Sequence, residues 1–208
     1  IPINELDHIL FGIDYADEAM YELSYGTSFK HTNKIKQAYA SSTFSATNNL
    51  QTNLGIRVQN HSTYNNFTSG NIGINYYINP KLVLSSALAK SFRAPDATDL
   101  FGYGGNSNLS PEESKTSEIS LRYRISDDES FAGTFFHNRI TNLIESDGTK
   151  MQNINKAEIT GIDISYARYV NDTKYDIQYT YQEPKDKTNN VVLSRRPRNR
   201  MVGNVTHF

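Results

Sequence analysis

The chain has 208 residues, no cysteine, a formal net charge of −1 and 37% hydrophobic residues. It contains no run of about 18 apolar residues, which excludes membrane-spanning helices, and its balanced charge argues against a nucleic-acid-binding surface, which needs a clear basic excess. A mean hydropathy of −0.60 is compatible with a transmembrane β-barrel, because only alternate residues of each barrel strand face lipid.

Apolar and polar residues alternate with period two along most of the chain. Leu54 and Ile56, for example, share one strand face while Asn53 and Gly55 share the other. This pattern predicts about ten strands, most of them near or above the roughly 9–11 residues that a tilted strand needs to cross a bilayer. In chain order they are His8–Tyr15, Lys34–Ser45, Leu50–Gln59, Gly70–Ile78, Leu82–Lys90, Thr116–Ile125, Ser130–Asn142, Asn153–Arg168, Lys174–Gln182 and Arg198–Phe208.

The connections between the predicted strands alternate in length. Short turns lie at Asn48-Asn49, Asn79–Lys81, Asp127–Glu129 and Asn171–Thr173, and longer polar loops are predicted at Ala16–Asn33, Asn60–Ser69, Phe92–Ser114, Glu145–Gln152 and Glu183–Arg196. In an antiparallel meander alternate connections lie at the same end, so the short turns share one end, as periplasmic turns do in outer-membrane barrels. A half-buried soluble sheet has the same alternation, but it would concentrate aromatic residues at strand centres, whereas many here lie near the short turns.

The longest connection carries local structural signals. Pro95 ends the hydrogen bonding of the preceding strand. The segment Ser110–Ser114 combines an N-cap residue, a first-turn proline and two glutamates, which predicts a helical turn there.

Three segments resemble the TonB-dependent outer-membrane receptors. The residues from Ser91 to Glu118 are similar to a block in the C-terminal half of the family's barrel, and Asn155–Asp163 and Leu193–Arg198 are similar to two later strand segments. The resemblance implies an all-β fold, an antiparallel transmembrane β-barrel meander in the bacterial outer membrane. The chain would supply about ten strands of a larger, roughly 22-stranded barrel.

The same resemblance implies a domain organisation and a set of partners. Residues 1–208 would be a partial barrel domain without the N-terminal plug, and Phe208 would be a point of truncation. The TonB complex would act through the missing plug to energise active transport, and the barrel would contact outer-membrane lipid and lipopolysaccharide. The loop at Leu100–Leu109 is similar to that of the vitamin B12 (cobalamin) receptors of the family, which favours cobalamin as ligand, with ferric siderophores or haem as the alternative.

Candidate ligand-binding residues lie in two segments. Aromatic rings offer apolar stacking, side-chain amides offer hydrogen bonds, and a guanidinium could pair with a phosphate or another anion. The candidates are Phe101, Tyr103, Asn106, Asn108, Arg195 and Arg196. The two arginines could instead bind lipopolysaccharide phosphates or plug carboxylates.

Other functions leave weaker signals in the sequence. The five histidines show no metal-ligand spacing, and no nucleophile and base form a catalytic constellation, so we predict no metal site, no cofactor and no enzyme. A passive porin-like barrel is the alternative from a different class. It would lack the plug and the TonB-binding segment that precede the barrel in the family.

Overall fold

The computed structural model describes residues 7–24 and 27–208, and these residues form one antiparallel sheet. Its strands follow one another in chain order from β1 to β9, and both β10 and β11 then pair with β9. The strands are β1 His8–Ser24, β2 Thr27–Thr47, β3 Leu50–His61, β4 Asn65–Asn79, β5 Leu82–Arg93, β6 Glu112–Ser126, β7 Glu129–Ser146, β8 Met151–Val170, β9 Thr173–Asp186, β10 Val191–Val192 and β11 Asn199–His207. The predicted meander is therefore confirmed, with one additional two-residue strand.

All four short turns lie at one end of the sheet, as predicted from their alternation with longer connections. The strand register shifts beside three of them, between Ser45 and Thr47, between Tyr77 and Asn79, and between Arg124 and Ser126. Such irregularities increase local twist, which brings each pair of strands into its tight turn. We call this end of the sheet the short-turn end and the opposite end the long-loop rim.

The sequence prediction was wrong about the length of most long loops. Residues Ala16–Asn33 were predicted to form a loop, but they continue β1 and β2 as a paired ladder up to Ser24 and Thr27, and residues 25–26 lie outside the described part. Asn60–Ser69 is likewise mostly strand, with only residues 62–64 between β3 and β4. Polar and charged residues dominate both segments, which is typical of loops, but the backbone ladder continues through them.

Cross-strand partners join the apolar faces of successive strands into one belt. Ile72 is opposite Leu88, Leu84 is opposite Leu121, and the belt continues into β7 through residues such as Phe135. Many of these side chains are exposed in the sheet. A band of this kind on one face is the surface that a barrel presents to lipid.

The opposite face carries polar side chains that bond to one another across strands. Gln51 accepts a hydrogen bond from Asn75, which in turn accepts one from the Ser85 hydroxyl at 2.8 Å. Further along the same transverse row, Asp163 accepts hydrogen bonds from Gln178 and Thr180. The polar side chains of successive strands therefore share one face, on the reverse of the apolar belt.

The only helix among the described residues is α1, Ala97–Phe101, and it lies where no helix was predicted. Asp96 caps it by accepting a hydrogen bond from the Asp99 amide, and Asp99 reciprocates with the Asp96 amide. The predicted helical turn at Ser110–Ser114 was wrong: β6 begins at Glu112, because this segment pairs with the end of β5 instead. No helix in residues 7–24 and 27–208 is long and apolar enough to cross a membrane.

Candidate functional site

The connection between β5 and β6 is fastened to the β7–β8 hairpin at the long-loop rim. The Met151 amide donates to the Gly104 carbonyl at 2.7 Å, and the Asn106 side chain donates to the Met151 carbonyl at 3.0 Å. Asn153 completes the junction by accepting from the Ser110 amide and donating to the Ser110 carbonyl. Gly104 has a φ of 72°, and a side chain there would collide with the Thr149 carbonyl, so this turn needs glycine.

Apolar packing on both sides of β7 reinforces these hydrogen bonds. Ile144 is buried against Leu100 and Leu109 of the β5–β6 connection. The neighbouring Leu143 is buried against Leu193, which belongs to the connection between β9 and β11. The β7–β8 hairpin therefore holds two other connections, one on each face, and makes the rim a single packed structure.

Arg93 links the end of β5 to this rim. Its guanidinium contacts Asp99 Oδ2 at 2.8 Å and Glu112 Oε1 at 3.0 Å, and Glu112 also accepts a 2.6 Å hydrogen bond from the Ile144 amide. The two acidic side chains are only 12% and 15% exposed. Burial works to lower the pKa of Arg93, but the bonds to both carboxylates outweigh it and raise that pKa, so the guanidinium stays charged.

We expect Arg93→Gln to loosen the rim without unfolding the sheet. Two largely buried carboxylates would lose their cation, at a cost of about 1–2 kcal/mol after allowance for the partial exposure of Arg93. Amide hydrogen exchange at Leu100, Asn106 and Met151 should accelerate about tenfold, which corresponds to ~1.4 kcal/mol. Lys90→Gln is the matched control on the same strand, because its ion pair with Glu113 is half exposed. Unchanged exchange in Arg93→Gln would contradict this role.

The predicted ligand-binding residues of the β5–β6 connection differ in their contacts and in their exposure. Phe101 packs against Phe29 and His31, with ring centroids 5.9 and 5.0 Å apart. Asn106 holds the Met151 carbonyl and accepts from the Asn108 amide. Tyr103 is 78% exposed, at the turn that Gly104 makes.

The two predicted arginines also differ. Arg196 contacts Glu145 Oε2 at 2.8 Å, and Ser194 donates to the other oxygen of the same carboxylate. Arg195 is exposed, adopts a positive φ of 55°, and has no ion pair with any described residue. Glu145 lies on the hairpin that also holds the Leu100–Asn108 segment, so both predicted segments adjoin this hairpin at the long-loop rim, one on each of its faces.

A cavity at the rim was not foreseen from the sequence. It has a volume of about 310 Å³ and lies between the β1–β2 hairpin, the end of β3 and the start of α1. His31 and His61 line it together with Glu18, and His61 is almost completely buried. The sequence separates these residues widely, and only the register of β1, β2 and β3 brings them together.

Two ionisable groups in the rim loops, Tyr64 and Asp147, have pKa values shifted from their ordinary ones. Burial, and then the nearby Asp99 carboxylate, raises the pKa of Tyr64. Hydrogen bonds from the Lys150 amide and from Thr149 hold the pKa of Asp147 at about 2. Because this pKa lies below the ordinary value of 3.8, ionised Asp147 stabilises the β7–β8 turn fully above pH 3.8, and this stabilisation is lost as the pH falls toward 2.

Within the described ranges no group of three or more His, Cys, Asp or Glu side chains is placed to hold a metal ion.

The whole sheet matches one known protein family. The family model described as "TonB dependent receptor-like, beta-barrel" matches residues 3–208. The chain belongs to this family. The resemblance read from Ser91–Glu118 and the two later segments is therefore confirmed, and this TonB-dependent receptor barrel resides in the bacterial outer membrane.

Curated relatives of the TonB-dependent receptor barrel include vitamin B12 transporters. It is 29% identical over 166 residues to the vitamin B12 transporter BtuB of Photobacterium profundum, covering 74% of this chain and 27% of the relative. It is 27% identical over 196 residues to BtuB of Vibrio vulnificus, covering 90% and 32%. The chain thus spans about a third or less of the length of these relatives.

Solved structures share the fold. The siderophore receptor PirA of Pseudomonas aeruginosa aligns with a TM-score of 0.76 at 21% identity, over 88% of this chain and 38% of its own. The Q482A mutant of the ferric enterobactin receptor PfeA of the same organism, in complex with enterobactin, aligns with a TM-score of 0.81 at 18% identity. The alignment covers 96% of this chain and 36% of the receptor chain. At these identities the likeness concerns the fold, and it supports the reading of the sheet as part of a receptor barrel.

Proposed function

We propose that this TonB-dependent receptor barrel takes part in the import of a bulky, scarce ligand, and that the ligand is vitamin B12. Residues 1–208 would form part of the barrel domain, and the plug and its TonB-binding segment would lie elsewhere in the natural protein. The observation that carries the proposal is the rim itself. A packed long-loop rim exposes Tyr103, Asn108 and Arg195. Of the other predicted ligand residues, Asn106 and Arg196 contact neighbouring parts of the rim.

The chemistry of the rim suits this ligand. Tyr103 offers a ring for stacking on an apolar surface, and its loop is fixed in advance by the bonds to Met151, so little ordering entropy would be lost on binding. Arg195 offers an uncompensated cation for the phosphate of the cobalamin nucleotide loop. Similarity to the vitamin B12 transporters supports cobalamin over other ligands.

A ferric siderophore is the second candidate. An anionic siderophore would also pair with Arg195, because the neighbouring Arg196 is already neutralised by Glu145. Aromatic catecholate groups would likewise stack on Tyr103. The two ligands would therefore use the same residues of the rim, and uptake must be measured for both.

The test compares uptake of labelled cobalamin and of a ferric catecholate siderophore in cells carrying the natural full-length protein. We expect Tyr103→Ser combined with Arg195→Gln to lower cobalamin uptake at limiting concentration by about tenfold, or ~1.4 kcal/mol of binding. Phe101→Ala should also lower uptake, but through movement of the loop. Tyr21→Ser is the matched control, since Tyr21 is equally exposed but lies on β1.

Each outcome decides between named alternatives when receptor abundance is unchanged. Loss of siderophore uptake with intact cobalamin uptake would replace the proposed ligand. Independence of both from Tyr103 and Arg195 would refute the site. Uptake that persists when the proton-motive force is dissipated would favour a passive pore over TonB-coupled transport. We propose no catalytic reaction for this barrel.

A further inference from the structure

The rim cavity of about 310 Å³ is lined by two parts of the molecule that are distant in the chain. Its floor is the polar face of β1–β3 and includes Glu18, His31 and His61. Its roof is the end of β5 and the start of α1, where Pro95 and Ala97 are buried. The β5–β6 connection is therefore seated on β1–β3 with the cavity between them.

Two further contacts hold this connection on the floor. The Phe101 ring packs on His31 with centroids 5.0 Å apart, and the Thr98 hydroxyl donates a 3.5 Å hydrogen bond to Glu22. The same connection carries Tyr103 of the proposed ligand site. A rearrangement of the floor would therefore reach that site through α1.

The hydrogen bonds of His61 require its neutral form. Its Nδ1 accepts a 3.1 Å hydrogen bond from the Thr63 amide, so the proton of the ring lies on Nε2. The Thr63 hydroxyl donates at 3.3 Å to Asn33 Oδ1, which ties the same turn to β2. A second proton on His61 would occupy Nδ1 and place two donors against each other, which would break the bond to Thr63.

His61 also lies where a positive charge is unfavourable. Its side chain is only 3% exposed. Burial lowers its pKa and outweighs the carboxylate of Glu18, which raises it, while His31 lowers it further. The titratable and charged groups around it are Glu18 on β1, His31 on β2, Tyr64 in the following turn, and Arg93, Asp96 and Asp99 at the roof.

The direction of the pH dependence follows from this burial. Above the ordinary pKa of 6.5, His61 is neutral whether it is buried or in water. Below 6.5, a ring that reaches water takes up a proton that the buried ring excludes. The seated arrangement therefore loses stability relative to an opened one as the pH falls below 6.5.

We propose that His61 makes the seating of the β5–β6 connection acid-sensitive, so that the rim releases this connection, and with it Tyr103, when the medium outside the cell becomes acidic. The protonated ring leaves Thr63 and turns toward Glu18, which lines the same cavity, and water enters between floor and roof. The long-loop rim faces the exterior, so His61 responds to the external pH. The effect on ligand capture rests on the proposed function, whereas the release of the connection does not.

The test follows amide hydrogen exchange of the natural full-length protein at about pH 7.5 and about pH 5.5, with rates divided by those of unstructured peptides at the same pH. The reporters are the α1 amides of Leu100 and Gly102, which bond to carbonyls of the same connection. We expect their protection to fall about tenfold at the lower pH, which is what one proton taken up with an ordinary pKa of 6.5 supplies. The affinity of the purified protein for cobalamin should fall by the same factor.

Three histidine variants assign the response to one ring. His61→Asn places an amide oxygen where Nδ1 accepts from Thr63 but cannot be protonated, so protection and affinity should be equal at both pH values. His61→Gln is a second neutral variant if the first folds poorly. His31→Gln, and the matched control His137→Asn outside the cavity lining, should both keep the response of the wild type.

Each outcome separates this inference from the proposed ligand. Protection of α1 that is independent of pH in the wild type would overturn the inference whatever the ligand is. A response that persists in both His61 variants, or disappears in His31→Gln, would do the same. A pH response of α1 with unchanged cobalamin affinity would refute the effect on capture. Absence of cobalamin binding at both pH values would refute the proposed ligand, and the exchange data would still support the release.

Discussion

Leu121→Arg should destabilise the barrel by about 2–4 kcal/mol, because it places a charge on the lipid-facing surface near the middle of β6. Leu121 lies in the apolar belt, directly opposite Leu84 and Gly133. An arginine there cannot reach water without leaving its strand position or thinning the surrounding bilayer. The measurement is equilibrium unfolding of the natural full-length protein in lipid vesicles, followed by loss of heat-modifiable mobility in gels.

Ser120→Arg is the matched control, one residue earlier on the same strand. Ser120 lies on the polar face, where its hydroxyl is 2.9 Å from that of Thr134. Loss of this one hydrogen bond costs about 1 kcal/mol, and the arginine would lie in the polar lumen. Equal destabilisation by the two variants would show that the apolar belt does not face lipid.

Gly161→Ala should destabilise the barrel by about 1–3 kcal/mol, the usual cost of overpacking a close-packed site. A Cβ at Gly161 would lie 2.5 Å from Cζ of Phe136 and closer still to the Tyr181 carbonyl oxygen. The Phe136 ring can rotate away, but the carbonyl belongs to the neighbouring strand β9 and cannot move without breaking the ladder. Equilibrium unfolding in vesicles gives the change directly.

Gly203→Ala is the control for this substitution, since it makes the same chemical change in β11. A Cβ at Gly203 would meet no atom within 4 Å. The control should therefore be neutral or slightly stabilising, because alanine restricts the unfolded chain more than glycine does. If the two alanine variants lose equal stability, close strand packing at Gly161 is not the reason for glycine there.

The sequence was sufficient to predict the strands where they cross the membrane. In the lipid zone one face must be apolar and the other polar, so Leu54 and Asn53 reveal both the strand and its facing. Above the lipid this requirement ends. The segment Ala16–Asn33 continues the β1–β2 ladder through backbone hydrogen bonds, but its many polar and charged residues are typical of a loop, and it was therefore mistaken for one.

Local sequence signals were insufficient to predict where the β5–β6 connection is helical, because tertiary contacts determine which of two possible N-cap residues begins a helix. Both Asp96 and Ser110 carry the chemistry of a helix N-cap, but only Asp96 acts as one. The segment after Ser110 is drawn into β6 by the pairing of Glu112 with Arg93, a contact between residues far apart in the chain. The same limit applies to the candidate site, where the partner of Arg196, Glu145, could not be identified from the sequence.

The measurement that tests this account most directly is the sidedness of the sheet in intact cells. Both proposals depend on the long-loop rim facing the exterior. These 208 residues contain no cysteine, so labelling of a single cysteine introduced among them is compared with the unsubstituted full-length protein as background. Gly148→Cys in the β7–β8 turn should react with a membrane-impermeant maleimide added to whole cells, whereas Asp128→Cys at the short-turn end should react only after the outer membrane is permeabilised. Labelling of the Asp128 position in intact cells, with protection of the Gly148 position, would contradict the account.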